Sequence, residues 1–214
     1  MKNILVWGAS GHAKVLLSAL NNDYNVIGFI DKNPEIEEFL GSAVYRDFSE
    51  FSKNISIVHK EIYFIIAIGG ARGSERIEIH NQLMKSGLKP MSVIHPSAWV
   101  DTSAYIAPGA QILAMAAISA EVVIGSQTII NTNATIDHET QVGDGCHIMP
   151  AATVTGCVTI GNFCTIGSNA TILPRISLSP HTIVGAGAVV TKNTPPNITV
   201  VGMPAKNILN KDKL

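Results

Sequence analysis

The sequence predicts two domains of different class: an α/β half, then an all-β half built from a short stacked repeat. Three observations carry this. Every sixth residue from Val100 to Val190 is aliphatic, sixteen positions in all, and each but Leu178 is β-branched. The first 95 residues lack that period and alternate apolar runs with helical stretches. The composition is 46% hydrophobic but only 6% aromatic and 14% charged, with 18 glycines. That balance suits a regular core of small and aliphatic side chains better than an ordinary globule.

The first half reads, in order, as a strand K-N-I-L-V-W, the turn G-A-S-G-H, a helix A-K-V-L-L-S-A-L and a strand V-I-G-F-I-D. A strand Y-F-I-I-A-I-G-G, a helix R-I-E-I-H-N-Q-L-M-K-S-G and a strand M-S-V-I follow. Buried-type strands alternating with helices argue a small parallel sheet. Pro96 in H-P-S-A marks the boundary, giving domains at 1–95 and 96–214. Gly8 to His12 lie between the first strand and first helix, where backbone amides can receive phosphate or another anion. Asp31 closes the second strand, where such folds meet a ribose or base. The dinucleotide fingerprint G-x-G-x-x-G is absent, Ser10 standing at its second glycine. Nucleotide binding without redox chemistry is therefore expected.

A period of six matches neither the helix at 3.6 nor strand alternation at 2. It fits a short flat strand followed by a tight corner, and such units must stack on copies of themselves to bury anything. Four residues after each aliphatic position comes a mostly small one, among them Ala134, Thr140, Cys146, Ala152 and Cys164. Cys146 and Cys164 are eighteen residues apart and are expected to stack as packed, reduced thiols. The three cysteines include no C-x-x-C pair, so neither a disulfide framework nor a metal is expected.

Here a resemblance becomes specific. Residues 100 to 194 resemble the hexapeptide acyltransferases, which implies a left-handed parallel β-helix with three hexapeptides per triangular coil. The whole chain resembles the nucleotide-sugar acetyltransferases of bacterial glycan synthesis. Closest are the N-acetyltransferases acting on UDP-4-amino-4,6-dideoxy sugars in the bacillosamine pathway; sialic acid O-acetyltransferases and perosamine N-acetyltransferases share the architecture. The resemblance implies a Rossmann-like domain holding the nucleotide sugar, with acetyl-CoA along the β-helix between subunits of a homotrimer. Carried over by position, it makes His138 and Glu139 of I-D-H-E catalytic and puts His147 near the acetyl group. It turns Ser168, Gly185, Ala186, Gly202 and Lys206 toward coenzyme A. Ser10, Gly11, His12, Asp31, Lys32 and Gly69 would hold the sugar nucleotide.

Acetyl transfer from a thioester to an amine needs a group that takes the amine's proton, and a histidine does this near neutral pH. Glu139 or Asp137 could stabilise the imidazolium; the resemblance favours Glu139. The competing reading of His138 is a solvated corner residue. The competing functions are an O-acetyltransferase, differing only in its acceptor pocket, and a non-catalytic scaffold that senses a nucleotide. His138 and His147 are half an eighteen-residue coil apart, so one subunit would place them on opposite sides of the prism and neighbouring subunits would bring them together. His59, His80 and His181 carry no motif and are expected at the surface; His95 is expected to shape the boundary. The net charge of −1 leaves no footprint for nucleic acid or an anionic membrane. With no long apolar run and no signal-peptide pattern, a cytoplasmic protein without membrane insertion is expected.

Overall fold

The computed structural model describes residues 1–20, 23–55 and 61–208. Its first half contains β1 (Lys2–Trp7), α1 (Gly11–Ser18), β2 (Tyr24–Ile30), β3 (Glu38–Phe39), β4 (Ser42–Tyr45), α2 (Phe48–Asn54), β5 (Ile62–Ile66), α3 (Gly73–Lys85) and β6 (Lys89–Pro90). The sheet order is β3-β4-β2-β1-β5-β6, parallel except for the β3–β4 hairpin. Side chains alternate across a strand, and β1 shows why a continuous apolar run is required. Ile4 and Val6 pack with Ala13 and Leu16 of α1, whereas Leu5 and Trp7 pack with Ile79 and Leu83 of α3. Both faces are covered, so neither set can be polar.

Three features of this half depart from the sequence reading. The β3–β4 hairpin and α2 were not anticipated, although α2 carries a start signal. Asp47 accepts from Glu50 N at 2.8 Å, and the Glu50 carboxylate reaches back to Arg46 N, a variant of the capping box. The M-S-V-I segment is also not a strand of the α/β sheet. Val93–Ile94 pairs in parallel with Gln111–Ile112 and so opens the solenoid. Ile94 falls six residues before Val100, in phase with the repeat.

The second half is a left-handed parallel β-helix with three faces. Its first face stacks Val93–Ile94, Gln111–Ile112, Ile129–Ile130, His147–Ile148, Thr165–Ile166, Ile183–Val184 and Thr199–Val201. The second face runs from Trp99–Val100 to Val189–Val190 and the third from Tyr105–Ile106 to Ser177–Leu178. Partners along a face differ by eighteen residues, as in Thr135↔Thr153, up to the last step of the first face, where Ile183 pairs with Thr199. The period-six aliphatics point inward: Ile112, Ile118, Ile124, Ile130 and Ile136 are fully buried. The small residues fill the inner corners.

The corners explain a second periodicity. Glu121, Gln127, Asn133, Glu139, Ala151 and Cys157 all have φ between 54° and 59°. Each precedes a buried inward residue, mostly a small one, and turns the chain in the left-handed region. β-Branched side chains are least tolerated there, and none occupies these positions. At one inner corner Thr128, Cys146 and Cys164 form a column. Thr128 Oγ donates to Gly143 O at 2.7 Å, Cys146 Sγ to Gly161 O at 3.1 Å and Cys164 Sγ to Ser179 O at 3.3 Å. The thiols thus do a hydroxyl's work. Both are free and buried, and burial pushes Cys146 well above its ordinary value.

The α/β half docks on the first face. Met91, Val93, Leu113 and Ile129 join the α1-side core, making one continuous apolar interior. Among the described residues no helix is long and apolar enough to cross a membrane.

Candidate active site

His138 sits at the corner after Thr135–Ile136. Asp137 Oδ1 accepts from the His138 backbone amide at 2.8 Å, so this carboxylate shapes the corner. The ring is held by Glu139: Nδ1 lies 3.0 Å from Oε2. A carboxylate only accepts, so Nδ1 carries the proton and Nε2 presents its lone pair. That is the tautomer a general base needs. The two side chains are 52% and 58% exposed, so the pair orients the ring and adds little stability.

The ring lies over Gly156, one coil further on. A β-carbon there would stand 2.5 Å from His138 Nε2, so only glycine leaves the imidazole its place. Sequence reasoning missed Gly156, though the eighteen-residue spacing was the available signal. Cys157 Sγ donates to Glu139 Oε2 at 3.6 Å, and burial followed by the Glu139 charge raises the thiol's pKa. His138, Glu139 and Cys157 each bring one metal-ligating atom to within 4.8 Å of the others. The first two are exposed, and Glu139 is already engaged with the ring.

His147 lies on the first face, which the third face separates from the His138 corner. It is 5% exposed, beneath the α/β half. Nδ1 donates to Gly70 O at 3.2 Å, and Nε2 faces Asn131 Nδ2 at 3.0 Å. Thr132 N donates to Asn131 Oδ1 at 2.8 Å, which fixes the amide and makes Nδ2 the donor to the ring. Burial, with the Arg76 charge adding to it, lowers the pKa from 6.5 to about 4. Unfolded chains therefore bind a proton between those values that the native state refuses. The stabilising contribution is complete above pH 6.5 and is lost as pH falls toward about 4, on the order of 3 kcal/mol. We predict that His147→Gln flattens the pH dependence of urea stability over this range; an unchanged profile would refute the assignment.

His12 stands close to His147. Its Nε2 donates to Gln111 Oε1 at 2.8 Å, and Gln111 Nε2 donates to Ile66 O at 2.7 Å. Burial lowers the His12 pKa, partly offset by the Gln111 bond. His80 is not the surface residue expected. It packs edge-on to Phe64 and lies 3.0 Å from Gln127 Nε2 at the domain junction. His181 is exposed beside Phe163, His95 Nδ1 accepts from Ser97 N at the boundary turn, and His59 lies outside the described residues.

A cleft of about 150 Å³ opens at the carboxyl ends of β1, β2 and β5, lined by Gly8, Ser10, Asp31, Lys32 and Gly69. Here the strand order reverses, the usual binding point of an open α/β sheet. Gly8, at φ 107°, lets the turn pass Ala67 O, which a β-carbon would meet at 2.6 Å. Ser10 precedes α1 with its hydroxyl unused for capping. Asp31 braces the cleft: Oδ2 accepts from Ala9 N at 2.8 Å and Oδ1 from Asn33 N at 2.9 Å. Gly11 and His12 begin α1, with His12 turned to the solenoid.

Ser168, Gly185 and Ala186 gather at the corner after the first face, where Gly187 N donates to Ser168 O at 2.9 Å. Gly202 follows the last strand of that face, and Lys206 lies in the antiparallel pair that closes the solenoid. None of these shares a corner with His138, so one chain does not bring the two groups together.

Comparison with known proteins places this geometry. Residues 3–83 match the PglD N-terminal domain, and residues 139–174 match the bacterial transferase hexapeptide of six repeats. The acetyltransferase domain of PglB from Neisseria gonorrhoeae is 30% identical, with 97% of this chain and 100% of that one covered at a TM-score of 0.86. The chain belongs to the hexapeptide-repeat nucleotide-sugar acetyltransferases. Acetyl-CoA is the co-substrate. A histidine-to-asparagine mutant of perosamine N-acetyltransferase from Caulobacter crescentus, in complex with CoA and GDP-perosamine, is also similar to this acetyltransferase. It is 28% identical with 98% of each chain covered and a TM-score of 0.88. A 36-residue stretch is 53% identical to a Schizosaccharomyces pombe protein bearing an acetyltransferase name, and spans only 17% of that protein.

Proposed function

We propose that the protein transfers the acetyl group of acetyl-CoA to the 4-amino group of an amino-deoxy sugar carried on a nucleoside diphosphate, with His138 as general base. The amine nitrogen attacks the thioester carbonyl, the new C–N bond forms as the C–S bond breaks, and His138 Nε2 takes the amine's proton. Glu139 holds Nδ1–H and stabilises the imidazolium; the leaving thiolate is protonated in turn. The observation that carries this is the His138–Glu139 contact at 3.0 Å on an exposed corner. The N-acetyltransferase name of the Caulobacter relative favours an amine acceptor. The sugar is of the bacillosamine type, 4-amino-4,6-dideoxy.

The site is completed between subunits of a homotrimer: His138 of one chain faces the Ser168–Gly185 corner of its neighbour, and the neighbour's His147, buried with both ring nitrogens engaged, shapes that site from beneath. Mixing tests this. Chains carrying His138→Ala and chains carrying His147→Ala should each be inactive alone. Random equimolar assembly leaves about a quarter of shared sites with both residues intact, so acetyl transfer should recover to about that fraction. No recovery would remove the shared site.

A further inference from the structure

Taking as given the sugar nucleotide proposed above, we infer that its base is guanine, read by Glu75. The Gly8–Gly69 cleft continues into a second one of about 520 Å³, and the two share Trp7, Lys32 and Glu75. Asp47 and Glu78 also rim the second cleft, and carboxylates repel phosphate. The diphosphate therefore belongs by the glycine turn and the base in the second cleft, whose floor includes the edges of the buried Trp7 and Ile79.

What selects the base is a fork. Glu75 now receives two parallel N–H groups from Arg72, Nε to Oε2 at 2.6 Å and Nη2 to Oε1 at 2.8 Å. The Watson–Crick edge of guanine presents the same pattern, N1–H beside N2–H, and a carboxylate takes such a pair bidentately. Uracil and thymine offer one N–H between two carbonyls, which would face the carboxylate oxygens unfavourably. Adenine and cytosine offer an amino group beside an acceptor. Only guanine can replace Arg72. The exchange costs little, because the Arg72 side chain is 61% exposed and such rim ion pairs are weak. It frees Arg72 for the diphosphate, while Lys32 can donate to guanine O6 or N7. The resemblance implied UDP; the fork on Glu75 points to GDP.

Calorimetric titration of the whole protein with GDP, UDP, dTDP and ADP tests this. GDP should bind about 10- to 100-fold more tightly than UDP, and Glu75→Gln should erase most of that preference. Retained stabilisation by acetyl-CoA would show the variant folded. Arg72→Ala should weaken GDP more than UDP, because uracil leaves the Arg72–Glu75 pair closed and only guanine turns this guanidinium to the diphosphate. UDP binding as tightly as GDP, or Glu75→Gln weakening both equally, would overturn the guanine assignment while leaving a nucleotide acceptor standing. If no nucleoside diphosphate binds, the sugar-nucleotide reading falls with it.

Discussion

Replacing His138 by alanine is expected to lower acetyl transfer by about 10²–10⁴-fold, the range that general-base help supplies, with acetyl-CoA binding little changed. The hydrogen bond to Glu139 Oε2 at 3.0 Å fixes the proton on Nδ1, so the loss falls on proton removal from the acceptor. Gly156→Ala is the sharper companion, because it alters no candidate catalytic side chain and moves only one of them. A β-carbon 2.5 Å from Nε2 must push the ring aside, and a misplacement of that size costs about 10²-fold. Gly156 is not among the positions with positive φ, so alanine there adds no backbone strain. The measurement is CoA release on the best amino-sugar nucleotide. If His138→Ala keeps near wild-type turnover, the base is another group.

Arg76→Met is expected to cost about 3 kcal/mol of stability, read by urea unfolding. Arg76 is fully buried at the junction of the two domains. Its guanidinium donates to Gln127 O at 2.9 Å, Gly145 O at 2.8 Å, Cys146 O at 3.0 Å and Ile68 O at 3.2 Å. These acceptors are all carbonyls. Burial lowers its pKa to about 10, which still leaves it charged at neutral pH. Cys146 O keeps a ladder bond from Ile129 N at 3.0 Å; the other three carbonyls lose this donor, at about 1 kcal/mol each. Lysine should rescue only partly, since one ammonium cannot span two coils and the end of β5. A Met variant as stable as wild type would mean that the junction is held by apolar contacts alone.

The solenoid was legible because its side-chain pattern and its backbone pattern are the same pattern: an inward position every six residues fixes strand, corner and coil together. Extending the count by one step would have caught Ile94 and moved Val93–Ile94 out of the α/β sheet. The candidate site divides in the same way. His138 and Glu139 touch because they are neighbours, and Gly156 lies beneath the ring because eighteen residues make a coil. Gly70, Gln111 and Arg76 were not legible. Gly70 meets His147 from 77 positions away, and Arg76 meets Gly145 from 69. Backbone carbonyls and glycines leave no pattern in composition that says which domain face they will meet. His80 was misjudged for the same reason: its role comes from docking.

The unbroken stacking has a consequence for how such a chain can change length. Coils sit one strand spacing apart, about 4.8 Å, so the solenoid works as a ruler graduated in eighteen-residue marks. An extra coil beyond Lys206 would leave every distance described above intact. An extra coil between His147 and Ser168 would lift the Ser168–Gly185 corner by one whole graduation relative to His138 and to the docked α/β domain. Reach along this axis can be altered only in steps wider than a hydrogen bond. Drift in length is therefore tolerated at the far end and forbidden in the middle.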